Sequence, residues 1–235
     1  MNRLNKLNKR LDSYIPISSK EPNSVISEQY RKLRTNIELS NFDKEVKVIS
    51  LTSTKMMEGK TVTSINLATV YAQSEKKTLL IDMDLRKPKI HRGFHLSHKN
   101  GLSNIITDNL ELSEAIHKVT PKLDVITAGN KLPFPAEFLM SAQLKELILK
   151  LRDLYDIIII DTPPMTAVAD AAIISSFVDG TILVIASRET NIDACERVIK
   201  ELKDNGANII GSVLTRIRKK DTNYSNYYYY QYSER

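Results

Sequence analysis

The chain has 235 residues, 42% of them hydrophobic, which is enough for one α/β domain with a large core and short tails. No stretch reaches the roughly 18 apolar residues of a membrane-spanning helix, and the basic, Asn-rich N-terminus lacks the apolar segment of a signal peptide. Cys195 is the single cysteine, which excludes an internal disulfide and fits a reducing cytosol; it reads as a packing residue. The net charge of +6 is concentrated at the ends, in Arg3, Lys6, Lys9, Arg10 and Lys20 and again in Arg216, Arg218, Lys219 and Lys220. No aromatic-interleaved motif accompanies these charges, so they read as solvated ends rather than a nucleic-acid site.

Residues 1–23 read as an irregular, flexible basic segment broken by Pro16 and Pro22. A helix follows from Ser24 to Leu39, capped by Ser24 or Ser27, with Tyr30, Leu33 and Ile37 at helical spacing. It carries Glu28, Arg31 and Arg34 near one face, and their spacing alone favours a solvated face with pairing inside the helix.

The apolar run Val46 to Leu51 reads as a strand, and Val62 to Ala72 as a helix. Between them lies a loop ending Gly59-Lys60-Thr61. Strand, loop and helix in this order form a phosphate-binding motif: the first helical amides point at an anion and the helix dipole adds favourable potential. Lys60 would reach the β- and γ-phosphates and the Thr61 hydroxyl would bind Mg²⁺. The pattern departs from the usual one, with Thr54 at the first glycine position and Met56-Met57 in mid-loop. Alone, the motif leaves open a chance Gly-Lys-Thr after a strand.

Lys77 to Pro88 is a buried strand ending in Asp82, Asp84, Arg86 and Lys87. Asp82 and Asp84, two apart on an extended segment, are expected on one side, where two carboxylates would hold Mg²⁺ and accept a proton from an attacking hydroxyl. A polar strand-to-loop corner is the bland alternative. His91, His95 and His98 invite a zinc reading, but no supporting ligands converge on them, and we set that reading aside. Short helices are expected from Leu102 to Thr107 and after Leu112, a strand over Leu123–Thr127, and helices after Pro135 and from Ser141 to Leu154.

Tyr155 to Pro164 contains four consecutive isoleucines, the mark of a strand buried on both faces, and ends in Asp161. Asp161 is a Walker B candidate for Mg²⁺, or else a strand-terminal cap. A helix from Asp170, a strand Thr181–Ala186, a helix Ile192–Lys203 and a strand Ile209–Thr215 complete the pattern. Alternating strands and helices predict a doubly wound, mostly parallel sheet flanked by helices over residues 24–218. Residues 219–235 are polar and low in complexity and read as a disordered tail. Six of the ten tyrosines lie there: Tyr224, Tyr227, Tyr228, Tyr229, Tyr230 and Tyr232.

Glu28-x-x-Arg31-x-x-Arg34, the Ser53–Thr61 loop, Ile81-Asp82-Met83-Asp84-Leu85-Arg86-Lys87-Pro88, Ile160-Asp161-Thr162-Pro163-Pro164 and the tyrosine tail, in that order, resemble the bacterial tyrosine kinases of capsule and exopolysaccharide systems. The match is closest to the Gram-positive type, a kinase separate from its membrane adaptor. The resemblance implies a P-loop NTPase fold of the MinD/ParA type. It implies ATP and Mg²⁺ bound by Lys55, Met57, Glu58, Gly59, Lys60, Thr61, Val62 and Arg216, with Thr61, Asp82 and Asp161 around the metal and Lys60, Asp82, Asp84 and Asp161 catalytic. It further implies tail tyrosines phosphorylated in a neighbouring subunit, and a homo-oligomeric ring with Glu28, Arg31 and Arg34 at its interface. The expected partners are the adaptor's cytoplasmic tail and a cognate tyrosine phosphatase, with no nucleic acid, at the inner face of the cell membrane.

Two departures bear on this. Met56-Met57 stands where such kinases carry Pro-Gly, and Thr215 stands where they often carry Asn near the base. The first keeps alive a nucleotide-impaired regulatory relative. Lys55, at the place of an extra loop lysine, keeps alive a MinD-like ATPase.

Overall fold

The computed structural model describes residues 14–39 and 45–218. Of the N-terminal and tail clusters read from the sequence, Arg3, Lys6, Lys9, Arg10, Lys219, Lys220 and all six tail tyrosines lie outside these residues. Two helices come first, α1 (Ile17–Lys20) and α2 (Val25–Leu39). Then follow β1 (Val48–Ser53), α3 (Lys60–Gln73), β2 (Thr78–Asp82), and three short helices, α4 (Ile90–Gly93), α5 (Leu102–Thr107) and α6 (Leu112–Ala115). Next are β3 (Ile116–Thr120), β4 (Leu123–Ile126), α7 (Pro135–Met140), α8 (Ala142–Leu154) and β5 (Ile157–Asp161). The chain closes with α9 (Asp170–Ser175), β6 (Gly180–Ala186), α10 (Ile192–Asp204) and β7 (Ile209–Thr215).

Among the described residues the strands form one seven-stranded sheet in the order β3-β4-β2-β5-β1-β6-β7. All pairs are parallel except β3 with β4. The strand β3 was not expected from the sequence. It is half-exposed, short, and at an edge, so it lacks the buried apolar run that marked the others. The sheet has two covered faces, and strand periodicity divides the core between them. Ile158 and Ile160 of β5 join Leu79 and Ile81 of β2 on one side. Ile157 and Ile159 join Leu80 on the other, under α3. At about 1.5–3 kcal/mol per fully buried aliphatic side chain, the four isoleucines are a principal anchor of the sheet centre.

Helix α3 is buried on nearly every side, between the sheet and helices α1 and α2. Ser24 caps α2 by accepting from the Ser27 N–H at 3.2 Å, and Tyr30, Leu33 and Ile37 pack inward as their spacing predicts. The irregular reading of residues 1–23 does not hold for 17–20, which form one turn against α3. There the Ser18 N–H donates to Asn66 Oδ1 at 3.0 Å and Gln73 donates to the Ser18 carbonyl at 2.8 Å. Strand β1 runs two residues later than expected. Its buried Ser50 and Thr52 are satisfied by Thr181 Oγ1 and the Pro163 carbonyl, both at 2.9 Å, so polar residues enter the core without an unpaired group.

The sheet order explains why distant motifs meet. Strands β2, β5 and β1 are consecutive neighbours, Asp82 is in register with Asp161, and Asp161 is in register with Leu51. Their carboxyl ends therefore open onto one edge, where ligands of such sheets bind.

Candidate functional site

The loop between β1 and α3 is shaped by two left-handed residues. Gly59, the residue before α3, has φ 98°, and a side chain there would also press within 3.3 Å of Thr215 Cγ2. Met57 has φ 69° although it is not a glycine, and its side chain is 71% exposed. Around them the loop is braced from within. Glu58 is buried, with one carboxylate oxygen accepting the Lys55 N–H at 3.1 Å and the other the Thr190 hydroxyl. The Glu58 carbonyl accepts from Thr215 Oγ1 at 2.6 Å. Arg216 donates to the Met57 carbonyl and to Glu189, and the Lys55 ammonium donates to the Glu189 carbonyl at 2.5 Å.

The three motifs converge at the sheet edge. Lys60 Nζ lies 3.1 Å from Asp84 Oδ2 and 3.5 Å from Asp161 Oδ1. The Thr61 hydroxyl donates to Asp161 Oδ2 at 2.7 Å, and Ser64, one turn further along α3, donates to Asp161 Oδ1 at 3.2 Å. Burial works against the Lys60 charge, yet Asp161 and Asp84 outweigh it and hold the ammonium above the usual lysine range. Burial pushes the Asp161 carboxyl up, against the opposing pull of Lys60 and Thr61. Burial, with the Asp161 charge adding to it, pushes Asp82 up to about 7.

Asp82 and Asp84 do not continue one strand face as expected, because β2 stops at Asp82 and a turn follows. Asp82 is fully buried. Its Oδ2 accepts the N–H groups of Lys89 and Ile90 at 2.9 and 3.0 Å, and its Oδ1 accepts the Asp84 N–H at 3.2 Å. Asp84 instead stands on the wall of a cleft of about 380 Å³. Of the residues expected around a nucleotide, Met57, Gly59, Lys60, Thr61, Val62 and Arg216 line this cleft. Lys55 and Glu58 are turned to the bracing contacts above.

Several cleft residues were given no role in the sequence, Tyr14, Arg86, Lys87 and Lys89 among them. Arg86 lines the cleft and is held in a two-pronged pair by Asp170, with Nε to Oδ2 at 2.8 Å and Nη2 to Oδ1 at 3.1 Å. Asp170 opens α9 and is fully buried. Tyr14, from the segment read as irregular, lines the cleft too. Tyr14 has no motif of its own; Arg86 lies in the Ile81–Pro88 motif, but its place on the cleft wall emerges only with its pairing to Asp170 across 84 residues.

The donor set fits a polyphosphate and a divalent cation. Five basic side chains, Lys60, Arg86, Lys87, Lys89 and Arg216, line the cleft against one carboxylate, Asp84. The first N–H groups of α3 have no intrahelical acceptor by helix geometry. Beside them, Asp82 and Asp161 are buried carboxylates whose charge a cation would relieve, and the Thr61 hydroxyl would offer such a cation a further oxygen. Among the described residues no cluster of His, Cys, Asp and Glu forms a separate metal site. His91 and His98 rest ring against ring, 5.5 Å apart.

Comparison with known proteins agrees with this geometry. The model of the AAA domain family matches residues 46–209. The tyrosine-protein kinase YwqD of Bacillus subtilis (strain 168) is 41% identical over 215 residues, covering 91% of this chain and 90% of that protein. The putative tyrosine-protein kinase CapB of Staphylococcus aureus is 38% identical over 211 residues, covering 89% and 92%. The crystal structure of the chimerical protein CapA2B2 superposes with a TM-score of 0.84 at 35% identity, covering 87% of this chain and 90% of that one. The chain belongs to the bacterial tyrosine kinases. It is a protein-tyrosine kinase on a P-loop NTPase fold.

Glu28, Arg31 and Arg34 of this kinase make contacts within their own chain. Arg31 Nε pairs with Glu28 at 2.7 Å and its Nη2 donates to the Pro22 carbonyl at 2.9 Å, while Arg34 donates to the Val70 carbonyl at 3.0 Å. Among the described residues no helix is long and apolar enough to cross a membrane.

Proposed function

We propose that this kinase transfers the γ-phosphoryl group of ATP to the tyrosines at 224, 227–230 and 232 of a neighbouring copy and so regulates capsular or extracellular polysaccharide synthesis. The observation that carries the reading is the meeting of Lys60 with Asp84 and Asp161 at 3.1 and 3.5 Å, on the wall of a cleft rich in basic groups. Mg²⁺, held by Thr61, Asp82 and Asp161, would supply charge neutralisation on the phosphate oxygens. Lys60 leaves its carboxylate partners to stabilise charge on the β- and γ-phosphates. The first amides of α3 orient the same groups. Arg86, fixed by Asp170, adds a guanidinium from the lining of the same cleft. As the tyrosine oxygen bonds to the γ-phosphorus and the bond from phosphorus to the ADP oxygen breaks, Asp84 takes the phenolic proton. Asp84 is favoured over Asp82 for this step because it faces the cleft, whereas three backbone N–H groups occupy Asp82.

The same reading places Glu28, Arg31 and Arg34 between subunits of a ring. It gives the kinase a membrane adaptor whose cytoplasmic tail activates it at the inner face of the membrane, and a phosphatase that resets the tail. Each phosphotyrosine adds about −2 near neutral pH, so a modified tail repels its neighbours and favours ring dissociation. The test is incubation with γ-labelled ATP, with and without the adaptor's cytoplasmic peptide, and mass spectrometry of residues 219–235. Label is expected on the tail and none after Lys60→Met; label that survives Lys60→Met overturns the assignment.

A further inference from the structure

A second hollow of about 430 Å³ adjoins the cleft and shares Lys87 and Lys89 with it. Its other walls are Pro88, His91, Arg92 and His98. Among the described residues no carboxylate lines it. The acids nearest in sequence are engaged elsewhere: Asp82 accepts the Lys89 and Ile90 N–H groups, and Asp84 accepts the Lys87 N–H at 3.1 Å and the Lys60 ammonium. His91 Nδ1 is buried with no hydrogen-bond partner among the described residues. Burial, then the charge of Arg92 and the nearness of His98, pull the His91 pKa down. Three cations and two imidazoles, one with a buried nitrogen that lacks a partner among the described residues, form a receptor for a compact anion.

The geometry points to the occupant: a phosphotyrosine of the tail, held in this hollow while a neighbouring tyrosine enters the cleft, so that one phosphorylation primes the next. The inference rests on the kinase reading above. The segment from Thr222 to Ser233 carries no charged residue, so it gains affinity for a basic hollow only once it is phosphorylated. Tyr227 to Tyr230 are consecutive, and an extended chain advances roughly 3.3–3.6 Å per residue. A phosphotyrosine two or three positions from the acceptor then lies roughly 7–11 Å away, the separation suited to two hollows with a common wall.

The test uses the full chain with its six tail tyrosines changed to phenylalanine, so that its own tail does not compete. Synthetic peptides of residues 219–235, unmodified or phosphorylated at Tyr228 and Tyr230, are titrated by fluorescence anisotropy. Arg92 and His98 line only the hollow, so R92A/H98A leaves the nucleotide cleft intact, and Arg92→Lys with His98 retained keeps the charge. The phosphopeptide is expected to bind at least about tenfold tighter than the unmodified peptide, with R92A/H98A removing most of that preference and Arg92→Lys retaining it. Equal binding of the two peptides, or a preference untouched by R92A/H98A, overturns the proposal. So does a phosphopeptide displaced as readily by inorganic phosphate as by itself, or an Arg92-dependent affinity for phosphatidylserine vesicles without one for the phosphopeptide. In the chain with its native tail, R92A/H98A should leave the rate of first phosphate incorporation unchanged and slow the later ones, as resolved by intact-mass spectrometry; unaltered later steps also overturn it. Because the peptides are synthetic, their binding is measured even if the chain fails to label itself, so failure of the kinase reading and failure of the hollow are told apart.

Discussion

The two methionines of the phosphate loop give opposite predictions. Met57 sits at φ 69° with 71% of its surface exposed, so Met57→Gly loses little packing and relieves a left-handed L-residue. That conformation costs about 1–2 kcal/mol in an L-residue, and glycine returns about 0.5–1 kcal/mol of it as extra chain entropy in the unfolded state. The net expectation is a gain of about 0.5–1 kcal/mol. Met56 is not among the residues with positive φ and is 54% exposed, so Met56→Gly meets the entropy cost without relief and should lose about 0.5–1 kcal/mol. For a chain of this size, 1 kcal/mol moves Tm by about 2–4 °C, so calorimetry should find the two variants displaced to opposite sides of wild type. A Met57→Gly variant that melts at or below wild type refutes the strain argument. Mg-ATP titration into both variants then shows whether the unusual pair weakens binding. Micromolar affinity in the wild-type chain removes the nucleotide-impaired alternative; no heat in any form would favour it.

Three further perturbations follow from the site. Asp170→Ala strips Arg86 of both its hydrogen bonds and should cost about 1.5–3 kcal/mol in chemical denaturation; a double-mutant cycle with Arg86→Ala should recover a coupling above roughly 1 kcal/mol, and additivity would remove Asp170 from the site. Thr61→Val removes a donor 2.7 Å from the buried Asp161, so calorimetric titration should show Mg-ATP binding at least about tenfold weaker, with stability lower by about 1–3 kcal/mol; unchanged Mg-ATP affinity contradicts the ligand role of the hydroxyl. Gly59→Ala forces a side chain into φ 98° against Thr215, and a loss of about 1–2 kcal/mol by thermal melting is expected; a variant as stable as wild type would show that the loop can adopt another path.

Much of this architecture was legible because two-sided burial writes itself into the sequence. Four isoleucines in a row, ending in an acid, can be read only as a central strand, and that strand does lie between the two that carry the other motifs. The last strand, over 209–215, matches its sequence reading residue for residue. What escaped was structure supported by single contacts. One turn over 17–20 is held by Ser18 and the side chains of Asn66 and Gln73, and no periodicity announces an arrangement so short. The edge strand β3 buries too little to alternate. Within the site, the sequence located the carboxylates but not their orientation. Whether Asp82 or Asp84 faces the cleft depends on where β2 ends, and that is decided by the Lys89 and Ile90 N–H groups returning onto Asp82.

That return has a consequence for catalysis. By occupying Asp82 with backbone donors, the turn leaves Asp84 as the carboxylate on the cleft wall, and Lys60 closes onto it at 3.1 Å. The site thus neutralises itself: the cation that phosphate requires and the carboxylate that the phenol requires are each other's partner. An ion pair this buried is costly to break by removing one member, but exchanging partners leaves neither charge bare. On the proposed reading, Lys60 moving from Asp84 to a phosphate would free Asp84 for the acceptor proton. That reading would couple the base to occupancy of the nucleotide side through one side-chain movement, and Lys60→Met should then destroy that coupling as well as the phosphate contact. Asp84→Asn offers the discriminating case. It keeps a hydrogen-bond partner for Lys60 but cannot take a proton, so Mg-ATP affinity should stay within about threefold while phosphoryl transfer falls by about 10²-fold or more. Equal losses in binding and transfer would instead make Asp84 a structural support for Lys60.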